Sequence, residues 1–165
     1  LPLTAELGPM QANGSVSAAE SHAWHRPLLA KRASQYDPRV RSRIERGATM
    51  SASDYIDLLN ARQHWIVRME AALAPYDALL SPTVPLVAPP IADVAPGAER
   101  DAEFFRVNAL LLRNTSVVNM LDGCALSLPC HMAGELPVGL MVWHGALHDD
   151  AVLNVGLQIE QILQK

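Results

Sequence analysis

Three apolar runs, each tied to proline or glycine at set places, constrain this chain more than any other feature: YDALLSPTVPLVAPP from Tyr76, NTSVVNMLDGCALSLPCH from Asn114 and GELPVGLMVWH from Gly134. A short apolar run bounded by turn residues reads as a buried strand. Residues 77–81, 124–128 and 138–143 are therefore predicted strands, with Ala133, Gly134 and Glu135 as the turn joining the last two. Between the first and second strands proline is dense, and proline cannot donate to a sheet ladder. The segment 82–100 is accordingly expected to be a loop crossing the surface.

Helices alternate with these strands. The clearest begins after Ser51, where Asp54 three residues on resembles a capping box with Asp in place of Glu; Ser53 is an alternative cap. Tyr55, Leu58, Leu59, Arg62, Ile66, Met69 and Leu73 recur at three and four, which puts one stripe on a core, and Pro75 ends the helix. Further helices are expected over 19–31, with Trp24, Leu28 and Leu29 as apolar contacts and Pro27 kinking or restarting it, and over 39–46, opened by Pro38 and stopped by Gly47. A helix over 100–112 carries Phe104, Phe105, Asn108, Leu111 and Leu112 inward, and a further helical turn covers 117–121. The last helix, 149–163, buries Val152, Val155, Gly156, Ile159, Ile162 and Leu163 behind Asp149 and Asp150 at its positive end. Residues 1–19 read as a loop, with room for a short strand at the start. The class is α/β, and three or four strands are few for a free-standing doubly wound sheet. They fit better as part of a larger one.

Composition removes several functions. Half of the 165 residues are apolar, enough for a sizeable core. The formal net charge of −4 gives no electrostatic case for nucleic acid or an anionic membrane as partner. The basic clusters at Lys31-Arg32 and 39–46 are broken by acids and apolar residues, as solvated faces are. No run approaches the ~18 apolar residues a membrane helix needs. Two cysteines make no disulfide framework, so a reduced, cytoplasmic setting is expected. The start, LPLTAELGPM, has no basic region, cleavage signature or initiator Met, and reads as the start of a fragment or processed product.

The residues that could carry chemistry do not assemble into an active site. Cys124, Cys130, His131, His144 and His148 invite a zinc reading, but the spacing matches neither C-x-x-C nor H-E-x-x-H, so no metal is expected. Cys130 and His131 are neighbours, and in a strand they point to opposite faces, which leaves the thiol without its base. There is no G-x-S-x-G elbow and no G-x-G-x-x-G loop. The pairs Asp149-Asp150 and Asp54…Asp57 lie at helix starts, where the dipole explains them.

The order of the blocks carries a resemblance. Glu20 to His25, then Tyr36-Asp37-Pro38, then Arg43-Ile44-Glu45-Arg46-Gly47, then Asp77 to Pro85, Asn119 to Ala125, Leu128-Pro129 and Leu136 to Leu140 are together similar to the C-terminal part of amidase signature enzymes. One departure is Cys124, where the family commonly has proline. The resemblance implies that 1–165 is the C-terminal part of a single amidase signature domain, an α/β/α layered fold with a central mixed sheet flanked by helices. It implies an enzyme that hydrolyses amide C–N bonds through a Ser–cis-Ser–Lys triad, with no cofactor and a small-molecule amide as substrate. The signature that carries the triad has no counterpart here, and Lys31 and Lys165 are the only lysines. No catalytic residue is therefore expected in this stretch, and alone it is expected to be inactive. Carried over by position, the resemblance implies Ala109, Leu112, Thr115 and Ser116 as lining of the acyl side of the pocket. Two other classes stay open: a binding module that docks a partner through its sheet edges, and a structural piece whose exposed core surface drives self-association.

Overall fold

The computed structural model describes residues 2–12 and 14–163, which fall into two units, Leu1–Trp65 and Ile66–Lys165. Lys165, one of the two lysines singled out above, lies outside the described residues.

Among the described residues of the first unit all regular structure is helical. A 3-10 turn, Pro2–Glu6, runs into α1 (Leu7–Met10), where a loop was expected. Helix α2 (Val16–Arg32) then starts earlier than apolar periodicity suggests, because Ser15 sits in extended geometry and its hydroxyl accepts the Ala18 N–H at 3.2 Å. No residue of α2 is fully buried, and Pro27 is accommodated inside it. Trp24, expected to be a core contact, is 70% exposed and lies edge-on against His25, whose Nδ1 meets the Tyr36 hydroxyl at 2.7 Å. Leu28 is exposed as well.

Asp37 caps α3 (Pro38–Glu45) by accepting the N–H groups of Arg39 and Val40 at 2.8 and 3.1 Å, with Pro38 preset for the first helical position. Gly47 does not stop the chain's winding: a 3-10 turn, Arg46–Thr49, passes through it. Its role is closeness, since a Cβ at Gly47 would overlap the Ala18 carbonyl of α2.

Helix α4 (Ala52–Leu73) opens with the anticipated capping box. The Ser51 hydroxyl accepts the Asp54 N–H at 3.0 Å, and the Asp54 carboxylate accepts the Ser51 N–H at 3.2 Å and its hydroxyl at 2.6 Å. Those bonds hold the Asp54 carboxyl below its ordinary value of 3.8. A carboxylate with a lowered folded pKa contributes stability that is full above the ordinary value and is lost as pH falls through the folded one. Ser51→Ala should therefore lower the melting temperature at pH 7, and the gap from the unsubstituted chain should narrow in strong acid to the part that comes from the Asp54 N–H bond alone. A gap independent of pH would remove the carboxylate from the cap.

Leu58 and Trp65 are the buried α4 residues of the first unit, and Ile66, Met69 and Leu73 those of the second. Trp65 is 0% exposed although the predicted stripe omitted it, and Leu59, which the stripe included, is exposed.

The second unit is built on an antiparallel sheet of three strands ordered β1-β3-β2: β1 (Leu79–Pro82), β2 (Cys124–Pro129) and β3 (Gly139–His144). Leu79 to Pro82 pair with Trp143 to Leu140, and Cys124 to Pro129 with His144 to Gly139. The strand expected at 77–81 is shifted by this register, and as an edge it alternates rather than being buried: Leu80 is 57% exposed. The central β3 is buried from Met141 to His144.

Between β1 and β2 the proline-rich segment is not all loop, for it includes α5 (Ile91–Val94) and a 3-10 turn, Ala98–Arg100. Helix α6 (Asp101–Arg113) follows, then α7 (Thr115–Leu121), which Asp122 ends in the left-handed conformation at φ 55°. On α6 the buried residue is Val107, while Leu111 and Leu112, expected to face inward, are exposed. Helix α8 (Asp149–Leu163) has the expected bounds and covers one sheet face, with Val152, Val155 and Ile159 against Leu126, Leu128 and Val142. Gly156 lets Leu126 approach the helix backbone. Its last turn is not core: Ile162 is 68% exposed and Leu163 is also exposed. The architecture is helix-rich around a small sheet, in keeping with the α/β class.

Candidate functional site

Three polar side chains of the second unit, Thr83, Ser127 and Asn114, meet where β1 ends and β3 begins. Thr83, just past β1, donates its N–H to the Gly139 carbonyl at 2.8 Å. Its hydroxyl lies 2.5 Å from that of Ser127 on β2. Central strand β3 has no side chain at Gly139, and that is what lets the two flanking hydroxyls meet across it. A Cβ there would lie 2.6 Å from Ser127 Oγ and 2.7 Å from Thr83 Oγ1. Beside this pair, the Asn114 side-chain amide donates to the Pro82 carbonyl at 2.7 Å.

The four positions implied for the acyl pocket lie on the helices that this asparagine joins. Ala109 and Leu112 are exposed on α6, and Thr115 and Ser116 are half-buried in the first turn of α7. Asn114 keeps right-handed helical dihedrals, φ −85° and ψ −43°, so the spacing of four still places Leu112 and Ser116 on one side. The Thr115 hydroxyl donates to the Leu112 carbonyl at 3.4 Å. A groove of about 370 Å³ also runs along α6, but it is lined by Phe104, Val107, Asn108 and Leu111 with Ile91 and Val94 opposite. Glu103 on the same helix is held below the ordinary carboxylate range by Arg106, which donates to it at 2.7 and 2.8 Å, an exposed pair one turn apart.

The groups considered for metal or thiol chemistry are engaged elsewhere. His144 is buried: its Nδ1 accepts the Gly145 N–H at 2.7 Å, which leaves Nε2 to donate to the Tyr76 carbonyl at 3.2 Å. His148 stacks on it with ring centres 3.8 Å apart. The Cys124 thiol donates to the Gly145 carbonyl at 3.4 Å. Cys130 is a free, exposed cysteine just beyond β2, its thiol toward the Val138 carbonyl at 3.6 Å, while His131 Nδ1 accepts the Val138 N–H at 3.5 Å. Among the described residues no group of three or more His, Cys, Asp and Glu is gathered as metal ligands, and no helix is long and apolar enough to cross a membrane.

Asn114, Thr83, Ser127 and Gly139 were not singled out from sequence as a site. Thr83 and Ser127 sit inside the proline-bounded blocks, but nothing local says that their hydroxyls meet. Asn114 would be read as an ordinary helix cap.

The Amidase family profile matches residues 3–153. The chain belongs to the amidase family. Among its amidase-family relatives, the 2-amino-5-chloromuconic acid deaminase of Comamonas testosteroni is 26% identical over 99% of this chain and 35% of its own length. A glutamyl-tRNA(Gln) amidotransferase polypeptide of Salinispora tropica is 30% identical over 82% of this chain and 27% of its own. Of solved structures, the S177A allophanate hydrolase of Kluyveromyces lactis superposes with a TM-score of 0.73 at 26% identity, over 92% of this chain and 24% of that one. The chain thus spans about a third or less of these relatives. At the family level the chemistry is hydrolysis of amide C–N bonds.

Proposed function

We propose that residues 1–165 form the sheet-and-helix part of an amide hydrolase whose nucleophile lies outside this stretch. The carrying observation is the family match over 3–153 in a chain that spans 35% of one relative and 27% of another. Support also comes from the lysines, since Lys31 and Lys165 lie in no glycine- and serine-rich run. In this reading a serine oxygen attacks the amide carbonyl and a lysine, through a second serine, takes its proton. The amine leaves with a proton, and water then releases the acid from the acyl-serine. The chain's own contribution is a wall of the acyl pocket, formed by Ala109, Leu112, Thr115 and Ser116. The substrate is a small-molecule amide, and the reaction draws on no cofactor.

The test uses the full reading frame that encodes this chain. The purified product should release ammonia from simple amides and take up a fluorophosphonate probe on a serine outside residues 1–165. A probe adduct within 1–165, or turnover lost in Cys130→Ala, would place the nucleophile inside this stretch and end the proposal.

A further inference from the structure

Asparagine is favoured at the start of a helix because its side-chain oxygen accepts an N–H two or three residues on. Asn114 precedes α7, but its backbone is helical rather than extended, so it does not cap, and α7 begins without a side-chain cap. Its Nδ2 reaches instead across 32 residues to the Pro82 carbonyl at 2.7 Å, and its Oδ1 accepts from Arg113 Nε at 3.4 Å. The next residue after Pro82 is Thr83, bonded through its N–H to β3 and through its hydroxyl to Ser127 of β2. The side-chain amide therefore ties the α6–α7 junction to the end of β1, and through Thr83 that strand end is bonded on to Gly139 of β3 and Ser127 of β2. With no cap to make, the amide is free to bond a strand 32 residues away and so holds the helix junction against the sheet.

We infer that Asn114 is a positioning residue for acyl-group selection: its amide fixes how close Thr115 and Ser116, the residues directly after it, stand to the end of the sheet. This rests on the reading that α6 and α7 line the acyl side of the pocket. The physical basis is that a displacement of about 1 Å in a pocket wall changes turnover of a closely fitted substrate far more than that of a small one. The bond lies at the surface, so removing it takes nothing from the core.

The experiment measures kcat and KM for propionamide and benzamide on the full-length protein, with Asn114→Ala, Asn114→Asp, Asn114→Gln and Ser116→Phe beside the unsubstituted enzyme. Asn114→Asp keeps the size and loses the donor, and Asn114→Gln keeps the donor. The ratio of kcat/KM for benzamide to that for propionamide should shift about 10-fold in the Ala and Asp variants, through KM. It should recover at least in part in Asn114→Gln, and Ser116→Phe should lower it. A fall in kcat for both amides alike with KM unchanged would make Asn114 a structural residue only and overturn the inference. So would an unmoved ratio in an active enzyme. An unsubstituted protein that releases no ammonia from either amide would remove the pocket reading first, and this inference with it.

Discussion

Gly47→Ala is expected to destabilise the Leu1–Trp65 unit by about 3 kcal/mol, the upper part of the usual range for forcing a group into packed space. The added Cβ would overlap the Ala18 carbonyl oxygen, with the Ala18 carbonyl carbon 2.5 Å and His22 Cβ 2.8 Å away. Two of these three are backbone atoms of α2, which no rotamer change can move aside, so the helix itself must shift. Gly8 is the control: it is also helical, and nothing lies within 4 Å of the position its Cβ would take. Gly8→Ala should be neutral or slightly stabilising, because it restricts the unfolded chain. Urea midpoints of the two variants decide it, and equal midpoints would mean that α2 and the Arg46–Thr49 turn are not in contact as described.

Trp65→Ala should cost about 3–5 kcal/mol, as large-to-small changes at a sealed aromatic site do. Trp65 is 0% exposed, and its Nε1 donates to the Leu3 carbonyl at 2.8 Å, fastening the first turn of the chain to α4. The two contributions separate by substitution. Trp65→Phe keeps most of the apolar volume and loses the donor, so about 1 kcal/mol should go with it. If Phe and Ala melt at the same temperature, the hydrogen bond rather than the packing carries the site.

How much of this was legible beforehand follows from the range of the forces involved. The α4 capping box and the bounds of α8 were readable because the bonds that set them join residues three or four apart. Strands β2 and β3 and the turn between them were readable because one hairpin brings the pattern and the turn residues together. Trp65 was missed although it lies three after Arg62 and four before Met69, because the predicted stripe stepped from Arg62 to Ile66, and the helix buries both neighbours. Trp24 erred the other way, for size and apolarity do not reveal that α2 has no buried side. The order of family blocks announced the fold class and the family. The sheet-end cluster stayed hidden because Thr83, Ser127 and Asn114 are brought together only by the pairing of strands distant in sequence.

The sheet order has a consequence in time. Its central strand, β3, is the last of the three to be synthesised, and both β1 and β2 bond to it rather than to each other. On the ribosome β1 emerges first and must wait for residues 83–138, more than half of the unit, to follow before its partner exists. Closing such long loops slows folding and leaves edges uncovered meanwhile. A nascent chain halted before Gly139 would carry two strands with no common partner, and the exposed apolar residues of β1 would be open to a chaperone until translation passed His144.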